Sequence, residues 1–422
     1  MLLSINKYFW KKAKAGALQY TIVFSLLILM SLSLFLLYVR LSSLEVYSSQ
    51  VQAQLIENCY SAVVILEHQP QLFEKQKFQI CLLEDSTYIT EIEISEWGFY
   101  HKVKVMAKKG RMQLSKIYLF ADNIKKEKSL PSLYFPGAMK YLSLGGKSYL
   151  GNNTFLPGKG IRKSYNNGIG YNRDSLVHGQ SFHAAETLPK LNTVWEERYR
   201  KLKSKSDSLS ASVNLSLLNR DSITVSFNDQ TLAIRCPANY IIKDKYISGN
   251  VLITGTNIRI TSSSLHGCII VADTIVTGKQ FRADAQIIAQ DYIEIGESSL
   301  MNAPSILYLN NSDRSDQVTL KSGTQFMGEV IIPQPNPGRK EILSIEEGCQ
   351  IMGQIYCNGY ASFEGTLFGS FYTTGFIKKS RNGLYENYLL DVCIDSRRMA
   401  DEYCGISLID KSNAKVCSQE VY

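Results

Sequence analysis

The chain has 422 residues, a hydrophobic content of 45% and a formal net charge of +8 at pH 7. This hydrophobic content excludes a disordered stalk, and the length suffices for one large domain or two ordinary ones. Four of the eight net positive charges come from lysines at the extreme N-terminus, so the remainder of the chain is only mildly basic and predicts no nucleic-acid partner.

An uncharged run near the N-terminus has the length of a membrane-spanning helix. Residues 15–39 carry no charged side chain, and at about 1.5 Å per residue the stretch from Ala17 to Leu37 matches the roughly 30 Å hydrocarbon layer. Residues 1–14 form a basic flank without an acid, whereas Arg40 is the sole base in the twenty residues after the run. The lysines of the flank are Lys7, Lys11, Lys12 and Lys14.

This charge asymmetry predicts the topology. By the positive-inside rule we expect a single-pass protein of the bacterial inner (cytoplasmic) membrane, with a cytoplasmic N-terminus and an extracytoplasmic C-terminal domain. The lipid bilayer is then the first partner of the chain. A cleaved secretory signal peptide is the alternative reading of the same run.

The next segments change from helical to strand character. Residues 40–70 predict a helical stem, because apolar residues recur at spacings of three, four and seven up to Gln69-Pro70. The repeating positions are Leu44, Val51, Leu55, Cys59, Ala62, Val63 and Leu66. Residues 71–130 contain β-branched and aromatic runs separated by turn residues, so they predict a small antiparallel β region.

Repeats then fix the predicted architecture as mainly β. Residues 249–300 divide into three similar units, GNVLITGTNIRITSSSL, HGCIIVADTIVTGKQF and RADAQIIAQDYIEIGESSL. Units this short bury a core by stacking, which predicts a short-rung β-solenoid (β-helix) over residues 241–377, with a β-sandwich as the alternative. The positions predicted to point inward are Val251, Ile253, Ile258, Ile260, Ile269, Val271, Ile275, Ile287, Ile293 and Ile295.

The remaining segments are assigned around this repeat. Residues 131–182 predict the first solenoid rung or rungs and a loop rich in Gly, Asn and Tyr, and residues 378–422 a C-terminal cap or tail. Residues 183–240 predict a polar insertion that contains WEERYRKLKSK, a sequence suited to a short helix. We expect its basic residues to lie on a solvated helix face: Arg198, Arg200, Lys201, Lys203 and Lys205.

The nine cysteines have no zinc-site spacing. Three lie in apolar strand-like runs and are predicted to be buried: Cys268, Cys349 and Cys357. Three others lie in the tail, where one disulfide is predicted: Cys393, Cys404 and Cys417.

Two parts of the chain resemble known families. The basic flank, KAGALQYTIVFSLLILMSLSLFLL and the following QAQLIENCYSAVVIL resemble the membrane anchor of minor pilins and pseudopilins. That resemblance implies cleavage after Gly16, although the glutamate expected five residues later is Thr21. Residues 249–376 are similar to the polymer-forming β-helix of bactofilins. Together the resemblances imply a bacterial envelope protein that self-assembles or has protein partners.

The sequence contains no standard catalytic motif, and we expect no catalytic, cofactor-binding or metal site and no cofactor. The weighed metal candidates are His178, His183 and Glu186, for which an ordinary solvated loop is the competing interpretation. The candidate catalytic residues, if the chain is a carbohydrate-active β-helix, are Lys279, Arg282, Asp284, Asp291, Glu294 and Glu297.

The leading functional expectation is therefore non-enzymatic. We expect a membrane-anchored extracytoplasmic β-helix protein with a structural, assembly or binding role in the envelope. A pilus-like or secretion-linked assembly is the kind of complex to which such a protein would belong. The alternatives are a polysaccharide lyase or hydrolase, and a glycan-binding adhesin that uses the loop at residues 151–182.

Overall fold

The computed structural model describes residues 3–82, 87–122, 130–166, 168–209, 214–310, 317–335, 341–380, 383–401, 403–409 and 416–421. Helix α1 runs without interruption from Leu3 to His68. Its most apolar 18-residue window has a mean hydropathy of 2.7 and no buried residue. The helix is therefore long and apolar enough to cross a membrane.

The second part of α1 has a buried face. The predicted spacing is confirmed at six positions, which are buried: Val51, Leu55, Cys59, Ala62, Val63 and Leu66. Leu44, predicted on the same face, is 55% exposed. The buried positions of this helix begin at Val51, seven residues later. A short 3-10 helix, Pro70–Glu74, follows α1, with the proline in its first turn.

A small sheet of five strands follows. In spatial order the strands are Lys77–Ile80, Tyr88–Trp97, Tyr100–Lys109, Met112–Asp122 and Val416–Val421. The predicted antiparallel β region is thus present. Its fifth strand comes from the predicted C-terminal tail, where it pairs antiparallel with Ile117–Asp122. A disulfide joins Cys404 to Cys417 beside this strand, as predicted for one pair of the tail cysteines.

Most of the chain forms a closed sheet of parallel strands. Eight successive segments, called tiers 1 to 8 here, each pair in parallel with the next, and each consists of up to three short strands. Tier 1 comprises Ser222–Val225, Leu232–Arg235 and Tyr240–Lys243, and tier 2 comprises Tyr246–Gly249, Val251–Thr254 and Asn257–Thr261. Tiers 3 and 4 are Ser264–Thr277 and Arg282–Ile295. Tier 5 comprises Leu300–Leu309 and Gln317–Leu320, and tier 6 comprises Gln325–Ile332 and Glu341–Ile345. Tiers 7 and 8 are Gln350–Phe363 and Thr366–Ser380.

Three further tiers come from elsewhere in the chain. Tier 9 combines Tyr388–Leu390 and Cys393–Ile394 with Leu133–Tyr134, and it pairs with tier 8 at Thr366↔Cys393 and Phe371↔Leu133. Tier 10 comprises Leu142–Gly145, Tyr149–Leu150 and Thr154–Leu156. Tier 11 comprises Ile161–Lys163 and Ser181–His183. Tyr165–Asn166 pairs antiparallel with Ile169–Gly170, and the end of tier 8, Ile377–Ser380, pairs antiparallel with Gly383–Glu386.

This order corrects three predicted boundaries. Residues 131–182 do not form the first tiers but contribute to tiers 9 to 11, because Leu133–Tyr134 pairs with tier 8. The parallel tiers begin at Ser222, inside the predicted insertion 183–240. Part of the predicted tail, Tyr388–Ile394, belongs to tier 9.

The interior of the tiers is an apolar core of stacked Ile, Val, Leu and Phe side chains. Eight of the ten predicted inward residues belong to this core, whereas Ile269 and Val271 are buried in a second cluster on the outer side of the sheet. The cause is a register shift between His266 and Cys268, at Gly267 with φ +64°. The shift moves Cys268 and Ile270 into the core and turns their neighbours outward, because strand side chains alternate. Cys349 and Cys357 are also buried, as predicted.

Candidate functional site

A tight turn of the small sheet lies against Gln286 of tier 4. The Gln286 side chain donates to the Trp97 carbonyl at 3.1 Å, and its Oε1 accepts from the Phe99 amide at 2.7 Å. Gly98 between them has φ +60°, and a Cβ atom there would lie 2.0 Å from Gln286 Oε1. The turn therefore requires glycine for its backbone conformation and for the close approach of the glutamine.

Helix α2, Thr193–Ser208, brings an arginine to the same turn. Asn192 caps the helix, because its side chain accepts from the Val194 amide at 3.1 Å. Arg198 is 3% exposed, so the predicted solvated position is wrong for this residue. Its guanidinium donates to the Phe99 carbonyl at 2.5 Å and lies 5.2 Å from the Trp195 ring centroid.

The partner of Arg198 on the small sheet is a neutral histidine. Burial, and then the charge of Arg198, lowers the pKa of His101 from 6.5 to about 3. Arg198 donates to His101 Nε2 at 2.7 Å. Since a guanidinium has no acceptor, Nε2 must accept this bond, and the single proton of the neutral ring lies on Nδ1.

A fully buried carboxyl group lies on the same side of the sheet, in tier 6. Glu329 is 0% exposed, and its Oε1 accepts from the Tyr403 hydroxyl at 2.8 Å. Burial raises the pKa of Glu329 to about 8, while its hydrogen bonds with Tyr403 and Ile406 oppose this shift. The carboxyl is therefore mostly protonated at neutral pH. Burial also raises the pKa of Tyr100 and Tyr403, so both phenols stay neutral.

A cavity of about 190 Å³ lies next to this cluster of titratable groups and is partly open to solvent. Four aromatic rings line it, together with His101 and Asp122. Asp122 is held in place because its Oδ2 accepts from the Ser407 amide at 2.8 Å. The full lining is Pro70, Phe73, Phe99, His101, Phe120, Ala121, Asp122, Trp195, Ile406 and Val416.

No protein-family model, curated protein or solved structure matches this chain. The pilin-like and bactofilin-like resemblances therefore stay predictions. Titratable groups with shifted pKa values beside an aromatic cavity are typical of binding sites. This cavity and its neighbours are the candidate site on that basis.

The candidate metal ligands His178, His183 and Glu186 do not form a three-ligand site. His178 stacks on Tyr149, with ring centroids 4.4 Å apart, and His183 lies exposed in tier 11. Glu186 is exposed in the segment after that tier. Within the described ranges, no three His, Cys, Asp or Glu side chains are grouped as metal ligands.

The candidate catalytic residues of a carbohydrate-active β-helix lie in different parts of the tiers. Arg282 and Asp284 lie at the start of tier 4, where Asp284 Oδ1 is 2.5 Å from His266 Nδ1. Asp291 and Glu294 lie near its end, where Glu294 accepts from the Tyr292 hydroxyl at 2.7 Å. Glu297 forms an ion pair of 2.6 Å with Lys279 at a corner. These carboxylates do not face one another across a groove.

Sequence reasoning missed the groups that surround the cavity. A signal for Glu329 existed, because it is the sole charged residue in FMGEVIIP, between positions that form buried strand. His101 and Arg198 gave no comparable signal. Their contact joins residues that are 97 positions apart in the sequence.

Proposed function

We propose that this protein is a single-pass, membrane-anchored envelope protein whose extracytoplasmic domain has a structural, assembly or binding role. The observation that carries the proposal is α1, in which an exposed apolar span continues into a helix with a buried face. The lysines at positions 7 to 14 precede the span, which favours a cytoplasmic N-terminus.

We infer that the parallel tiers form a β-solenoid. Equivalent positions in successive tiers, such as Ile253, Ile270 and Ile287, are about 17 residues apart and pair in register. Such stacking supports a solenoid because each tier pairs its strands with its neighbours. The sandwich alternative requires antiparallel strands and is not favoured by this pairing.

An assembly role fits two features of the chain. The side chains of α1 from Leu18 to Tyr47 include many exposed apolar residues, which suits lipid or neighbouring helices. Tier 11 pairs through Ser181–His183 with tier 10 and is the last tier of the series. Such an edge suits pairing with another chain, as the bactofilin-like and pilin-like resemblances imply.

Glycan binding is the second candidate. Stacked rings continue through tiers 8 to 11 along one column: Tyr372, Tyr134, Phe155 and Phe182. The last ring, Phe182, is 41% exposed, and Tyr165 nearby in sequence is 77% exposed. Exposed aromatic rings can stack on sugars. The lyase or hydrolase alternative has no such support, because its carboxylates are dispersed.

The topology is tested with the thiol of Cys81, which is exposed and free. A membrane-impermeant maleimide added to intact spheroplasts should label the wild-type chain and should not label C81S. A Ser4→Cys change placed in the C81S background should label only after permeabilisation. Labelling of the second variant in intact spheroplasts, with protection of Cys81, would overturn the proposed orientation.

A further inference from the structure

The cavity beside His101 and Asp122 has the size of a single-ring ligand. Its volume is about 190 Å³, and an engineered apolar cavity of about 150 Å³ is enough to bind benzene. A monocyclic molecule therefore fits with little space left. A fused ring system or a sugar chain would have to remain largely outside.

The lining favours an aromatic ring over an aliphatic one. Phe73 and Phe120 meet edge to face, with centroids 5.2 Å apart and an interplanar angle of 61°. Phe99 and Trp195 form a second pair with centroids 6.0 Å apart. A further ring placed among such pairs gains edge-to-face contacts in addition to burial of its apolar surface.

The charges near the cavity disfavour a charged ligand. The cation of Arg198 is accompanied by Asp122 and Glu96, whose charges raise its pKa against the effect of burial. His101 is neutral because its pKa is lowered to about 3. A carboxylate or an ammonium on the ligand would disturb this balance in a poorly solvated place.

The polar groups of the lining match one hydroxyl. The Asp122 carboxylate lines the cavity and is an acceptor, so a ligand hydroxyl can donate to it. A ring without a hydroxyl would leave the carboxylate desolvated without a new partner.

We propose that this cavity binds an uncharged phenol, either as a free small molecule or as a tyrosine side chain. The proposal is independent of the membrane topology and of the solenoid assignment. It concerns the residues of the cavity lining alone.

The test is a titration of the full chain in lipid nanodiscs, with saturation-transfer NMR and tryptophan fluorescence as readouts. Phenol should bind saturably, and benzene should bind about tenfold more weakly, the factor for one hydrogen bond at the upper end of the usual range. Cyclohexanol retains the hydroxyl without the aromatic ring and should also bind more weakly. N-acetyltyrosinamide distinguishes the two sources: tighter binding than phenol indicates a tyrosine side chain, and absence of its binding indicates a free phenol.

Two variants and one control locate the binding. Ala121→Leu should fill the cavity and reduce phenol affinity at least tenfold, and Asp122→Asn should reduce it roughly two- to tenfold. Thr274→Leu is the control, because it lies in a separate depression lined by Asn239, Tyr240 and Arg259. Empty nanodiscs give the baseline for partition of the ligands into lipid.

The proposal is overturned if phenol gives no saturable signal above that baseline. It is also overturned if Ala121→Leu and Thr274→Leu have equal effects, or if benzene binds as well as phenol. Circular dichroism shows whether Ala121→Leu is folded. If that variant does not fold, Asp122→Asn decides, since a folded Asp122→Asn variant with unchanged phenol affinity contradicts the role of the carboxylate.

Discussion

Two buried groups with opposite pKa shifts should give this protein a stability maximum at mildly acidic pH. Burial raises the pKa of Glu329 from 4.5 to about 8, where Tyr403, Tyr100 and Asp122 face the carboxyl. Burial and Arg198 lower the pKa of His101 from 6.5 to about 3. Each shift changes the free energy of unfolding wherever the folded and unfolded chains bind different numbers of protons.

The sign of each contribution follows from that difference. Between pH 4.5 and 8 the folded chain keeps the Glu329 proton that the unfolded chain has lost, so stability falls as pH rises. Between pH 3 and 6.5 the unfolded chain binds a proton at His101 that the folded chain does not, so stability rises with pH. The two effects oppose each other from pH 4.5 to 6.5, and Glu329 alone acts from pH 6.5 to 8.

The magnitude is measurable. One pKa unit corresponds to about 1.4 kcal/mol, so the Glu329 limb should remove about 2 kcal/mol of stability between pH 6.5 and 8. Glu329→Gln keeps the shape and an oxygen that accepts from the Tyr403 hydroxyl, but it has no proton to lose. The variant should therefore lose this slope, while His101→Gln should lose the acidic limb below pH 4.5 and keep the alkaline one.

Urea unfolding of the full chain in detergent micelles, followed by tryptophan fluorescence, measures these slopes at several pH values. Groups that titrate elsewhere contribute equally to wild type and variant, so the difference between them isolates Glu329. Glu294→Gln is the control, because its side chain is partly exposed in tier 4. Parallel stability curves for wild type and Glu329→Gln between pH 6.5 and 8 would refute the reasoning.

Three further predictions concern buried side chains, and all are measured from urea unfolding midpoints at fixed pH. Gln286→Ala should cost about 2 to 4 kcal/mol of stability, because it leaves two buried backbone groups without partners. The control is Gln350→Ala at an exposed position, which should change stability by less than about 0.5 kcal/mol. Equal losses in the two variants would show that the turn does not depend on the Gln286 side chain. Ile287→Ala should cost about 2 to 5 kcal/mol through the cavity it leaves, and Glu297→Ala less than about 0.5 kcal/mol. Thr277 is 3% exposed and its hydroxyl accepts from the Gly296 amide at 2.9 Å, so Thr277→Ala should cost about 1 to 3 kcal/mol. A silent substitution there would contradict a role of this hydrogen bond in stability.

The sequence predicted local features well because they depend on local patterns. The long helix ends at His68, directly before the predicted Gln69-Pro70 stop, and the Ile and Val repeats mark buried strands. The same pattern failed at Ile269 and Val271, because a single residue at Gly267 shifts the register of the strand. Periodicity gives the alternation within a strand but not the residues at which a corner interrupts it.

Long-range pairing was the part that local patterns could not supply. Residues 133–134 and 388–394 complete one tier although more than 250 positions separate them. The candidate site also depends on residues that are far apart in the sequence. Gln286 binds the turn at Trp97, 189 positions away, and Arg198 donates to His101, 97 positions away. Neither partner of such a pair marks the other in the sequence.

The composite tier 9 has a consequence for biosynthesis. Residues 130–183 leave the ribosome before tiers 1 to 8 exist, yet their strands pair onto tier 8 and onto Cys393–Ile394. The pairings of this early segment with tier 8 and with Cys393–Ile394 must therefore wait until those strands have been synthesised, although the segment can pair within itself at Leu133↔Thr154 and Leu142↔Ile161. Loop closure over such separations is slow, and strand edges that wait for their partners aggregate readily in the meantime. Protection of residues 130–183 during synthesis would thus be a requirement of the chain's own topology.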